Sequence, residues 1–246
     1  MSSRTGHAVR ESAVRICVPY PELLGTYGDG GNGVVLAQRL RWRGFAAELV
    51  SPSLDEPLPQ DCDVYVLGGG EDAPQTLATD RLREHDLAGI VDRGAVVLAI
   101  CAGLQLVGRS FTDATGSTVA GLGLLDCTTR PKGSRMIGEL VVEPTAFALP
   151  RLTGFENHGG ITEIGAGAVA LGRVLSGSGN GAGGVEGVVQ GRVIGTYLHG
   201  PCLARNPALA DHLLSWVVGA DLAPLDDAIV DVLRVERLEA ALGRRA

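Results

Sequence analysis

Cys101 and His199 are the side chains of this sequence whose types and settings suit nucleophilic chemistry. Cys101 follows six apolar residues without alternation, Ala95 to Ile100, the pattern of a strand covered on both faces of a parallel sheet. Ala99 and Gly103 keep its surroundings small, and Leu104, Leu106 and Val107 then repeat at helical spacing. Strand, small-x-Cys-x-Gly corner and helix together predict a nucleophile elbow carrying sulfur in place of a hydroxyl. Such a corner needs small neighbours because the nucleophile's backbone is strained and other chain passes close. A helix N-terminus also favours the thiolate. His199 follows the segment Arg192 to Tyr197, RVIGTY, so a final strand brings its imidazole to a sheet edge. A thiol and a His far away in sequence form the usual Cys–His nucleophilic pair. On its own segment, Cys101 reads first as a small core hydrophobe, the usual case for a lone Cys at a strand end.

The elements that must position these groups alternate. Strands are predicted at 14–18, 46–50 and 63–67, with helices at 34–42, ending at Gly44, and at 77–91. This alternation predicts an α/β fold with a doubly wound, mostly parallel sheet. Leu67 to Asp72, LGGGED, puts three glycines directly after a strand, either as backbone N–H donors for an oxyanion or as a plain turn. Beyond the elbow helix, segments at 122–129, 138–143 and around Val174 and Val188 predict an antiparallel extension of the sheet. Ser176 to Gly184, SGSGNGAGG, is expected to be a flexible, exposed loop. Helices are predicted at 207–217 and 225–242, the last carrying Leu225, Ile229, Val232, Leu233 and Leu238 on one side, to cap the domain or to meet another chain. The expected division is a tail over 1–13, one domain over 14–218 and a helical appendage over 219–246.

Near the start, Gly28, Gly30 and Gly33 in YGDGGNG spell G-x-G-x-x-G, and Glu48 stands where a ribose-binding acid would be expected. The intervening PYPELLGT separates the motif from its strand, so the glycines are expected to shape a loop and a helix start instead. Arg39, Arg41 and Arg43 around Trp42 read as the solvated face of a helix, with contact to a partner as the alternative. His158, in FENHGG, could line a site, a partner interface or only a turn, while His7, His85 and His212 read as surface residues.

Composition bounds the function. The 246 residues suffice for a substantial core, and 45% hydrophobic with 20% charged residues describes a globular chain. No apolar run reaches the length of a membrane span, and no apolar segment precedes the first strand, so no membrane insertion and a cytoplasmic location are expected. Five cysteines without a C-x-x-C pair argue for reduced thiols and against a zinc site. A net charge of −7 argues against general nucleic-acid binding.

LGGGED, LAICAGLQLVG and GTYLHGP together resemble the class I glutamine amidotransferases, in particular their cobyric acid synthase-like branch. More narrowly, YGDGGNGVVLAQRLRWRG, TGFENHGG and YLHGPCLARNP look like the glutaminase subunits of the MurT/GatD lipid II isoglutaminyl synthases. The resemblance implies a flavodoxin-like amidotransferase fold with Cys101 as nucleophile and His199 as its base. It also implies an oxyanion hole from the Leu67 to Gly70 turn, including Gly69 and Gly70, with the N–H of Ala102. Gln105 and Arg135 join the substrate-binding set, Arg135 orienting the glutamine carboxylate, which a guanidinium can hold by two parallel hydrogen bonds. Without the family, Arg135 would read as part of a surface salt bridge. Nothing here spells G-x-x-x-x-G-K-[ST], so no cofactor is expected on this chain, with ATP and magnesium on a MurT-like ligase partner acting on lipid II. Many class I members carry Glu two residues after the His, where this chain has Pro201. The expectation is that an acidic residue of the partner completes the site. An amidotransferase for another synthetase, such as one amidating a corrinoid, and a non-catalytic interaction subunit are the alternatives.

Overall fold

The computed structural model describes residues 12–113 and 115–243. The N-terminal half runs β1 (Val14–Cys17), α1 (Gly31–Trp42), β2 (Ala47–Val50), β3 (Val64–Leu67), α2 (Asp72–Glu84), α3 (Leu87–Asp92), β4 (Val96–Ile100) and α4 (Ala102–Val107). The expected helix over 77–91 is two helices. Asp86 breaks it with φ +53°, and its carboxylate then accepts the Gly89 N–H at the start of α3. Next come β5 (Ser110–Thr112), β6 (Thr118–Ala120), β7 (Cys127–Pro144), β8 (Leu152–Ile164), β9 (Gly172–Ser176), β10 (Val185–Glu186), β11 (Val188–Gln190) and β12 (Val193–Thr196). The chain ends in α5 (Cys202–Arg205), α6 (Pro207–Val218) and α7 (Ala228–Ala241).

The first sheet has the order β11-β12-β4-β3-β1-β2, parallel except for the β11–β12 pair. Every residue of β3 and β4 is buried, as their unbroken apolar runs require of strands covered on both faces. This order places the chemistry. Thr196 of β12 pairs with Ile100 of β4, and Leu67 of β3 with Ala99. The segments bearing His199, Cys101 and the LGGG turn therefore leave the same sheet edge side by side, where ligands of open α/β sheets bind.

The antiparallel strands mostly build a second sheet, β10-β9-β7-β5-β6 with β8 paired to β7, and only β11 extends the first. The two sheets meet at the site, because Phe155 of β8 exchanges both backbone hydrogen bonds with His199 at 2.9 and 3.1 Å.

Of the three arginines around Trp42, Arg39 and Arg43 are not on a solvated face. Arg39 is 3% exposed and grips two carboxylates, Asp211 of α6 and Asp227, at 2.7–2.8 Å. Arg43 adds a third bond to Asp211, while Arg41 is exposed and donates to the Ala47 carbonyl. A buried guanidinium persists only with such pairing, and its partners come from the far end of the chain. They tie the approach to α7 onto α1. No residue of α7 is buried, and Ile229, Val232 and Leu233 are largely exposed. The expected tail lies almost entirely in residues 1–11, outside the described residues, as does His7. His212 is not a surface residue but half-buried between Phe147 and Trp216, and burial lowers its pKa. His85 is half-buried as well. Among the described residues no helix is long and apolar enough to cross a membrane.

Candidate active site

Cys101 has φ +54° and ψ −106°, the strained corner expected between β4 and α4. Such a conformation costs on the order of 1–3 kcal/mol and persists only when its surroundings over-determine it. Here the Cys101 N–H bonds the Thr196 carbonyl at 2.8 Å and the Gly103 N–H bonds that of Gly68 at 3.2 Å. The side chain opens into a polar cleft whose walls include Tyr27, Gly70, Gln75, Ala102, Gln105, Arg135, Asn157 and His158. The other cysteines are core thiols, and burial pushes Cys127 and Cys202 up to about 12, which leaves them unreactive.

His199 is buried, and its Nδ1 lies 2.9 Å from Asp29 Oδ2 and 3.1 Å from Oδ1. With Nδ1–H given to the carboxylate, the other ring nitrogen is left for chemistry, and Nε2 meets no hydrogen-bond partner among the described residues. Burial disfavours the charged ring, yet the hydrogen bond and negative charge of Asp29, together with the nearness of Cys101, outweigh it, pushing His199 up to about 9. Both neighbours therefore favour the protonated ring.

An acid of this chain stands beside His199, in the place expected for a partner's residue. Asp29 is fully buried in the YGDGGNG loop. Asn32, also fully buried, donates to the Asp29 carbonyl at 2.8 Å and accepts the Leu203 N–H at 2.8 Å, pinning the loop to the segment after His199. Pro201, where a Glu was sought, packs on the loop: a side chain at Gly31 would come within 2.6 Å of its Cγ. The available signal was an Asp between glycines ahead of a helix, in a motif read only for its glycines. Glu48, the other acid considered there, pairs with Arg15 at 3.0 Å.

The Gly69 N–H donates to Asp29 Oδ2 at 2.9 Å, so it is not available to an oxyanion. This removes Gly69 from the predicted donors and leaves Gly70 and Ala102, which line the cleft beside Cys101. Arg135, on β7, bonds Asn157 through Nε to Oδ1 at 2.9 Å and through Nη2 to the carbonyl at 3.1 Å. Asn157 in turn donates to the Tyr27 hydroxyl at 2.6 Å, and the Tyr27 ring lies 4.8 Å from that of His199. Tyr27, at φ +63°, and Asn157 were not singled out in the sequence. His158 is a buried wall residue, its ring stacked on Tyr197 at 3.6 Å. The 176–184 segment is not simply an exposed loop, since Gly179 and Asn180 are buried within it.

Residues 15–207 match the family described as the CobB/CobQ-like glutamine amidotransferase domain. Over 212 residues the chain is 37% identical to the lipid II isoglutaminyl synthase (glutamine-hydrolyzing) subunit GatD of Staphylococcus aureus (strain N315), covering 85% of this chain and 86% of that protein. The corresponding GatD subunit of Streptococcus pneumoniae (strain ATCC BAA-255 / R6) is 34% identical, with 80% and 77% covered. A cobyric acid synthase of Sphingopyxis alaskensis is 33% identical over 75% of this chain but only 40% of its own length. Two solved structures share the fold, each with a TM-score of 0.54: a glutamine amidotransferase at 20% identity, covering 82% of this chain and 98% of that one, and the glutaminase domain of Trypanosoma brucei CTPS at 11%, covering 86% and 96%. A strained thiol beside a buried His–Asp pair and a family match spanning both ends of that cleft agree: this chain belongs to the CobB/CobQ-like glutamine amidotransferases and is a glutamine-hydrolysing amidotransferase.

Proposed function

We propose that this chain is the glutaminase subunit of an enzyme that amidates lipid II, and that Cys101, His199 and Asp29 carry its reaction. The observation that supports this most is the buried Asp29–His199 pair at the edge where the Cys101 elbow opens, with Arg135 in the same cleft. The Cys101 thiolate attacks the side-chain amide carbon of glutamine, forming the Sγ–C bond. As the C–N bond breaks, the protonated His199 gives its Nε2 proton to the departing ammonia. A water then attacks the thioester, losing a proton to His199, and glutamate leaves as the thiolate is restored. Asp29 keeps the ring oriented and stabilises its charge throughout. The N–H groups of Gly70 and Ala102 hold each oxyanion, and Arg135 pairs with the substrate's α-carboxylate.

The ammonia is consumed on a MurT-like ligase subunit, where ATP and magnesium activate the α-carboxylate of D-glutamate in the peptidoglycan stem, giving D-isoglutamine. The share of each relative that is matched supports this acceptor over a corrinoid: the chain covers 86% of the staphylococcal subunit but 40% of the cobyric acid synthase. The test is glutamate release from glutamine by this chain, alone and with a MurT-like ligase, with Cys101→Ser as control. Because all three reacting-site residues lie in this chain, release by the chain alone is expected, abolished by Cys101→Ser. Amidation of lipid II is expected only with the ligase and ATP. No release under either condition would overturn the reading, and release without lipid II amidation would overturn the acceptor.

A further inference from the structure

One side of the cleft is built from amides and hydroxyls whose order has no part in the mechanism above. Gln75, on α2 and 2% exposed, donates from Nε2 to Gln105 Oε1 at 3.1 Å. Gln105 donates from Nε2 to the Tyr197 hydroxyl at 3.4 Å. That hydroxyl lies 2.7 Å from Thr162 Oγ1, which lies 2.8 Å from Thr129 Oγ1. A phenol that accepts from Gln105 keeps its own proton for the threonine hydroxyls behind it, Thr162 and Thr129. The surroundings leave it no room: a side chain at Gly160 would come within 2.9 Å of Gln105 Nε2 and 3.1 Å of the Tyr197 hydroxyl. Gln105 is the half-exposed member of this relay, and both it and Gln75 line the cleft holding Cys101.

We infer that Gln75 is a positioning residue for the substrate glutamine: its N–H fixes which way the Gln105 amide faces, and hence which donor and acceptor Gln105 offers to the bound amino acid. The inference rests on the glutaminase reading. An amide turned over exchanges its oxygen for its NH₂, so a site that recognises one orientation opposes the other with like groups. Gln75 bonds Gln105 and no group of the Cys101–His199 pair, and acts through that amide. Its loss weakens substrate capture and leaves the reactivity of the thiol in place.

Two variants of the full chain separate these effects. Gln75→Glu keeps the shape but only accepts when ionised, setting its oxygen against Gln105 Oε1 and turning that amide over. Gln75→Met removes the donor without adding charge. We expect KM for glutamine to rise about tenfold in Gln75→Glu and about threefold in Gln75→Met, with kcat changed by less than about threefold. Alkylation of Cys101 by iodoacetamide, which needs no amino-acid recognition, should keep its wild-type rate. Labelling by a chloroketone analogue of glutamine should slow in parallel with the rise in KM. An unchanged KM and an unchanged chloroketone-to-iodoacetamide ratio in both variants would overturn the inference. So would an equal fall in both labelling rates, which marks a collapsed site and a merely structural role. The wild-type arm tests the underlying reading separately: no glutamate release and no preference for the chloroketone would remove both.

Discussion

The chain has two glycine-rich loops, YGDGGNG at 27–33 and SGSGNGAGG at 176–184, and they do opposite work. The first sends a carboxylate outward from itself: Asp29 reaches His199 and the Gly69 N–H. The second receives a carboxylate and turns its own amide onto neighbouring backbone. Glu156 accepts the N–H groups of Ser178 and Gly179 at 2.7 and 2.9 Å, and Asn180, fully buried, exchanges two bonds with Gly187 at 2.8 and 3.1 Å. One loop is part of the reacting site and the other is a folded plug under β8. Glycine content is the same signal in both, and what separates them is where their buried polar side chains are aimed: Asp29 at His199, Asn180 at the Gly187 backbone.

Three measurements press on this contrast. The largest effect belongs to Asp29→Asn, which keeps the shape but leaves His199 without its anionic partner; kcat for glutamate release is expected to fall by about 10²–10⁴-fold with the fold intact. A loss of less than about threefold would make the first loop as structural as the second. Next, Asn180→Ala strands the N–H and C=O of Gly187, and thermal or urea unfolding should show about 1–3 kcal/mol of lost stability, while kcat at 25 °C stays within about twofold. A collapse of kcat without destabilisation would assign the second loop to the chemistry. The smallest effect is a slope. Because the folded-state pKa of His199 is raised to about 9, its contribution to stability is complete below the free imidazole value of about 6.5 and is lost as pH rises toward about 9. Unfolding free energy should therefore decline across that interval in the wild type and decline less in Asp29→Asn, whereas Asn180→Ala should retain the wild-type slope.

What the sequence made legible was local. The apolar run into Cys101, the small flanks of the elbow and the strand ending before His199 are short patterns whose physical causes lie within a few residues of each other. Asp29 was hidden because its partner stands 170 residues away, and nothing beside it distinguishes a catalytic acid from a turn residue. The helix of Arg39 was misjudged for the same reason. Its two aspartates lie 172 and 188 residues on, so three arginines around an exposed Trp42 looked like a wetted surface. The second sheet was foreseen as antiparallel strands but not as a separate layer, since the period of alternation says which face is buried and not which neighbour buries it. The broken helix at Asp86 turned on a single left-handed residue.

The Arg39 clamp has a consequence for how the protein is made. Asp227, the more distant of its two carboxylates, leaves the ribosome 188 residues after Arg39. Until Asp211 and Asp227 emerge, a nascent chain holds a guanidinium destined for burial with nothing to neutralise it. β12, which joins the first sheet beside β4 and delivers His199, is also synthesised late. The thiol is therefore translated before the imidazole it is proposed to work with, and until β12 is made the Cys101 corner lacks the strand that carries His199.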